Sequence, residues 1–169
     1  HRYAFARRAL PELELRELGP DARLEILEPV ALGKRSFAEL RREDLRPHLL
    51  SLAGALDLDA HAPTHVRIPS GRRARLRYQA EGPPVLSVRL QEVFGLQESP
   101  KVAGGRVPVK MELLAPNHRP VQVTQDLASF WARTYAEVRK ELRRRYPKHQ
   151  WPEDPKQGIA SARVRPRRR

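Results

Sequence analysis

Ala62-Pro63 divides the chain by the period of its hydrophobic residues. Before it, apolar side chains recur at three- and four-residue steps, as helices require; after it, long stretches alternate, as strands require. The expected fold class is therefore α+β: a segment of short helices over residues 1–61, then a small antiparallel sheet of hairpins packed against C-terminal helices over residues 62–155. A basic tail over residues 156–169, rich in Pro and Arg and without a periodic apolar face, is expected to be disordered.

In the helical segment, residues 1–10 place Tyr3, Ala6 and Leu10 on one side and stop at Pro11. Asp21–Glu28 follows with Leu24, Leu27 and Ala31 directed inward, broken or restarted by Pro29 and ended by Gly33. Ser36-Phe37-Ala38-Glu39 has capping-box spacing. Asp44 can cap the next helix, which tolerates Pro47 in its first turn and would bury Leu45, Leu49, Leu52 and Leu56.

After the divide, His65–Ile68 and Ala74–Tyr78 alternate on either side of Pro69-Ser70-Gly71, a hairpin signature. Ala74, Leu76 and Tyr78 then share one face of the second strand, and Arg73, Arg75 and Arg77 the other. Three arginines on a solvent face either blunt a sheet edge or touch phosphate. Val85–Phe94 allows both periods; Pro84 at a first helical position and Gly95 just past the end favour a helix. Arg106–Leu114 alternates with Val107, Val109, Met111 and Leu113 inward, and Val121–Thr124 returns beyond Pro116-Asn117 as its partner strand.

Gln125–Trp151 closes the domain and holds both tryptophans. Asp126 is placed as an N-cap before Leu127, Phe130 and Trp131, and Thr134–Glu137 again has capping-box spacing. Tyr135, Val138, Leu142 and Tyr146 form the apolar stripe of a last helix that Pro147 cannot continue. Trp151 is expected to fasten the following chain to the core.

Chemistry is harder to find. The absence of cysteine removes disulfides, zinc ribbons and thiol catalysis. Gly33-Lys34-Arg35-Ser36 lacks the earlier glycine, the preceding strand and the hydroxyl after lysine that a phosphate-binding loop needs. Gly104-Gly105 is a turn. His61 and His65 are a loop and a strand histidine without a third ligand, Asp57 and Asp59 a polar loop pair, and Ser70 lacks a base. No catalytic or metal site is expected. No apolar run is long enough to span a membrane and no signal peptide is evident, so a cytoplasmic location is the default. The absence of an initiator methionine and a start within a helical pattern point to a piece of a longer protein.

Charge is the remaining clue. The net charge is +13, and residues 133–169 carry 13 Lys/Arg against 4 Asp/Glu. Such a balance suggests contact with a polyanion, most often nucleic acid. On the last helix, Glu137 is spaced to pair with Lys140, and Glu141 with Arg144 and Arg145. Arg139 and Arg143 have no acidic neighbour at helical steps, so with Lys148 and His149 they form the candidate nucleic-acid strip; Arg73, Arg75 and Arg77 form a second. Tyr146 or Trp151 could offer a stacking surface.

From Ala62 onward the chain resembles a known family. The stretches APTHVRIPSG (62–71), PPVLSVRLQEVFGL (83–96), AGGRVPVKMELLAP (103–116), RPVQVTQDLASFW (119–131) and YAEVRKELRRRYPKHQWPEDP (135–155) are similar to the C-terminal domain of the bacterial HrpB helicases, of the DEAH-box type. The ending RVRPRRR is similar to the family's basic tail. Tyr135-Ala136 stands where the family usually has Tyr-Pro, which implies a softer break between the two closing helices. The resemblance implies an accessory module of an ATP-dependent RNA helicase, whose ATP and Mg²⁺ chemistry lies in motor domains outside this segment. Its expected partners are RNA or another nucleic acid and the helicase core of the same polypeptide; the alternative is a protein-interaction or scaffold module docking that core or another protein.

Overall fold

The computed structural model describes residues 1–161. Five helices come first: α1 (Arg2–Ala9), α2 (Ala22–Ala31), α3 (Phe37–Leu40), α4 (Arg46–Leu52) and α5 (Leu58–His61). Strands β1 (His65–Arg67), β2 (Arg73–Arg77) and β3 (Val85–Arg89) follow. A short ribbon, β4 (Lys101–Val102) with β5 (Val107–Pro108), precedes β6 (Lys110–Leu114) and β7 (Pro120–Thr124). Helices α6 (Leu127–Arg133) and α7 (Tyr135–Arg145) close the domain.

The α+β class holds, but the main sheet is mixed rather than antiparallel. Its order is β1-β2-β3-β6-β7. The central pair β3–β6 is parallel, with Val85 level with Lys110 and Arg89 with Leu114; the other pairs are antiparallel. Residues 85–89 are therefore a strand, and the helix expected over Val85–Phe94 is corrected to β3 followed by one 3-10 turn, Leu90–Glu92. Pairing on both sides decides this, because a helix there would leave the backbone groups of β2 and β6 without partners. Burial of Val85, Leu86 and Val88 adds to the preference. The stretch 106–114 is divided at Val109, whose N–H donates to Pro100 O (2.8 Å); its first part pairs with β4 and its second with β3 and β7.

One hydrophobic cluster joins the helical segment to the sheet. Phe5, Ala6, Leu10, Ala53, Leu58 and Ala62 pack into the same core as Leu76, Val88, Met111 and Leu113, under Leu127, Phe130, Tyr135 and Leu142 of α6 and α7. The inward face of α2 is Ala22, Ile26 and Val30, not Leu24 and Ala31, both of which are exposed; the helix runs through Pro29. Leu45, Leu49 and Leu52 are only half-buried, and Leu56 is exposed. Ser36 accepts from Glu39 N (3.3 Å), and Asp44 accepts from Arg46 N (3.0 Å), as their spacing predicts.

Asp126 caps α6 by accepting from Ser129 N (2.9 Å). The capping box expected at Thr134 does not form: Thr134 keeps helical torsions and makes no side-chain cap, so a single irregular residue separates α6 from α7. The first part of the tail is attached rather than disordered. Gly95 N donates to Pro155 O (2.9 Å), Ser161 N donates to Gln91 O (2.9 Å), and Gly158 lies so close to Pro152 and Phe94 that a β-carbon there would force one of them to shift. The RVRPRRR ending lies outside the described residues.

Candidate nucleic-acid interface

Helix α7 buries Tyr135 and Leu142 and turns its basic residues outward. Arg139 follows Tyr135 by one turn, where the chain returning from Tyr146 crosses the helix. Its Nε donates to Trp151 O (2.9 Å) and its Nη2 to Glu153 Oε1 (3.1 Å). The returning segment is held further by Trp151 Nε1 donating to Tyr146 O (2.9 Å), by Tyr135 Oη donating to Pro152 O (2.8 Å), and by the Trp151 ring set edge-on to Phe94. Trp151 is thus a buried fastening, as its position after the last helix suggests. Burial pushes the Tyr135 phenol well above its ordinary pKa, with Arg139 opposing in part.

His149 is also part of the fastening. Its Nδ1 lies 3.0 Å from Gln91 Nε2. Burial, then the charge of Arg89, holds its pKa below the ordinary value, so it adds no charge at neutral pH. Arg143 and Lys148 remain exposed, with no ion pair among the described residues. Arg144 and Arg145 join them: Glu141 makes no bridge to either among the described residues, whereas Glu137 does pair with Lys140 (2.9 Å). The open charges at this end are therefore Arg143, Arg144, Arg145 and Lys148. Arg145 also lines, with Asn117, Arg119 and Tyr146, a cleft of about 190 Å³ beside the β6–β7 turn.

The second group lies on the sheet. Arg73, Arg75 and Arg77 alternate with buried Ala74 and Leu76, as the strand period predicts. Strand β2 is not an edge, since β1 covers it, so blunting an edge does not account for these arginines. Arg77 Nη2 donates to Ser87 Oγ and to Glu112 Oε2, both at 3.1 Å. Arg73 and Arg75 are exposed, without ion pairs among the described residues.

A buried ion cluster escapes sequence reasoning. Glu92 is 1% exposed. Arg72 Nε donates to Glu92 Oε1 (2.8 Å) and Arg72 Nη2 to Oε2 (3.1 Å); Arg89 adds its Nε (3.2 Å) and backbone N (3.3 Å) to Oε2. Burial alone would raise this carboxyl's pKa, but the hydrogen bonds from Arg72 and Arg89 outweigh it and hold the group below the ordinary value. The available signal was an acid and Arg89 interleaved with the apolar residues Val88, Leu90, Val93 and Phe94. Among the described residues no cluster of three His, Asp or Glu could hold a metal ion, and no helix is long and apolar enough to cross a membrane.

The sequence family described as ATP-dependent helicase C-terminal matches residues 26–155, from within α2 to the segment that Arg139 clasps. The chain belongs to this family. The ATP-dependent RNA helicase HrpB of Escherichia coli (strain K12) is 41% identical over 164 residues, covering 91% of this chain and 20% of that protein. The crystal structure of E. coli DExH-box NTPase HrpB matches with a TM-score of 0.82 at 40% identity, over 96% of this chain and 21% of that one. The crystal structure of E. coli DEAH/RHA helicase HrpB matches with a TM-score of 0.66 at 38% identity, over 89% and 20%. This ATP-dependent helicase C-terminal chain thus spans about a fifth of the length of the relatives it matches.

Proposed function

We propose that the chain is an accessory module of an ATP-dependent RNA helicase that contacts nucleic-acid phosphates and keeps the strand near the motor. ATP and Mg²⁺ would act in the motor domains, outside this segment, and the cytoplasm is the expected place of work. The observation that carries this reading is the distribution of unpaired cations. Arg143, Arg144 and Arg145 in the last turn of α7 and Lys148 just beyond it are all exposed, with no carboxylate bridging them among the described residues. Arg139 and His149, first candidates by spacing, serve better as the fastening beneath that group.

Phosphate contacts of this kind give binding that is weak in sequence preference and strong in salt dependence. Fluorescence anisotropy with a labelled single-stranded RNA tests the proposal. Changing Arg143 and Arg144 to Glu should weaken binding about tenfold at low salt; unchanged binding would remove α7 from the interface. A second reading, a module docking the helicase core or another protein, draws on the exposed apolar side chains of the helical segment. Leu24, Leu56 and Phe37 are 66%, 73% and 82% exposed. A partner that co-purifies with the wild-type chain after nuclease treatment, and is lost on changing Phe37 to Ser, would favour docking.

A further inference from the structure

The outward face of the main sheet carries more than the three arginines of β2. Arg67 of β1 stands opposite Arg73, and His65 opposite Arg75. On the other side, Arg77 is opposite Val85, which is level with Lys110 of β6; Ser87 is level with Glu112. The intervening residues Ala74, Leu76, Leu86, Val88, Met111 and Leu113 are buried on the inner face. Arg67, Arg73, Arg75, Arg77 and Lys110 therefore share the outward face and are each exposed, while Val85, between Arg77 and Lys110 on that face, is buried. Glu112 is the one carboxylate that the five strands carry, and it is taken by Arg77 and Ser87.

This geometry suits a phosphate chain. Same-face residues on a strand repeat at about 7 Å, and neighbouring strands lie about 5 Å apart. Arg73, Arg75 and Arg77 thus form a line of guanidinium groups at a spacing comparable to successive phosphates of an extended strand. Tyr78, just past β2, packs inward against Phe5, so the only ring the platform's strands turn outward is the imidazole of the exposed His65, and stacking is minor beside charge. The platform also lacks the central apolar anchor that a protein interface requires. Contact through phosphates, independent of sequence, remains.

We infer that the outward face of the β1–β2–β3–β6 sheet is a phosphate platform for single-stranded nucleic acid, and that Glu112 weakens it by occupying Arg77 and repelling the strand. This deepens the function proposed above and rests on it. The test measures anisotropy of labelled single-stranded RNA with the full chain, for the wild type, Arg73→Glu/Arg75→Glu, Glu112→Gln and Arg143→Glu/Arg144→Glu. Thermal unfolding checks each fold, and Arg73→Gln/Arg75→Gln replaces the reversal if that variant fails to fold. The platform variant should lose about tenfold in affinity, and Glu112→Gln should gain about threefold. Wild-type affinity in the platform variant, with loss in the α7 variant, would overturn the platform and leave the phosphate-contact reading standing. No binding by any protein, the wild type included, would overturn both. An unchanged Glu112→Gln would overturn the role given to Glu112, and equal affinity for duplex RNA the preference for a single strand.

Discussion

Glu92 shows how much a single side chain can be asked to do. A buried carboxylate is costly unless charged donors compensate, and here Arg72 and Arg89 supply them while the backbone N–H of Arg89 caps the same group. Glu92→Gln should cost about 2 kcal/mol in chemical denaturation at neutral pH, since it forfeits charge-assisted bonds to partners that can partly rehydrate. The sign of the pH dependence follows from the depressed pKa. The folded state binds this proton less readily than the unfolded chain, so the contribution is full above the unfolded carboxyl value of about 4.3 and is lost as pH falls through the lower folded value. A stability–pH series should show a steeper acid limb in the wild type than in Glu92→Gln. Arg139 and Arg143 offer a second comparison one turn apart. Arg139→Ala should destabilise by about 2 kcal/mol through the lost Trp151 and Glu153 bonds, whereas Arg143→Ala should stay within about 0.5 kcal/mol.

Among the elements, the two closing helices start differently. Asp126 makes a real cap and Thr134 does not. Asp126→Ala should therefore lower stability by about 1 kcal/mol, and Thr134→Ala by less than about 0.5, measured as shifts in denaturation midpoint at constant m-value. Local spacing made α6, α7, the β1–β2 hairpin and the β6–β7 pair legible, because each rests on contacts close in sequence. Strand β3 was not legible for the opposite reason. Its short apolar run satisfies both periods, and the deciding contact is a parallel pairing with β6, more than twenty residues on. The same distance effect hides the partner of Arg139: helical steps reveal Lys140 beside Glu137 but not Glu153 on the returning chain. Glu141 errs the other way, for correct spacing permits a pair without obliging two exposed side chains to hold it.

At the scale of the molecule, a layer of helices covers one side of a sheet whose other side carries exposed basic residues on β1, β2 and the start of β6. The basic excess was visible in the composition, and the arginines of β2 in the alternation. Their union with Arg67 and Lys110 on one face required the register. Membership of the helicase C-terminal family is the context in which contact of this face with nucleic acid is proposed. The most direct measurement is the wild-type affinity for single-stranded RNA over a series of salt concentrations. With three to five phosphates engaged, log K should fall linearly against log salt with a slope of about −2 to −3.5. A slope near zero, or no binding at low salt, would contradict a role in holding nucleic acid.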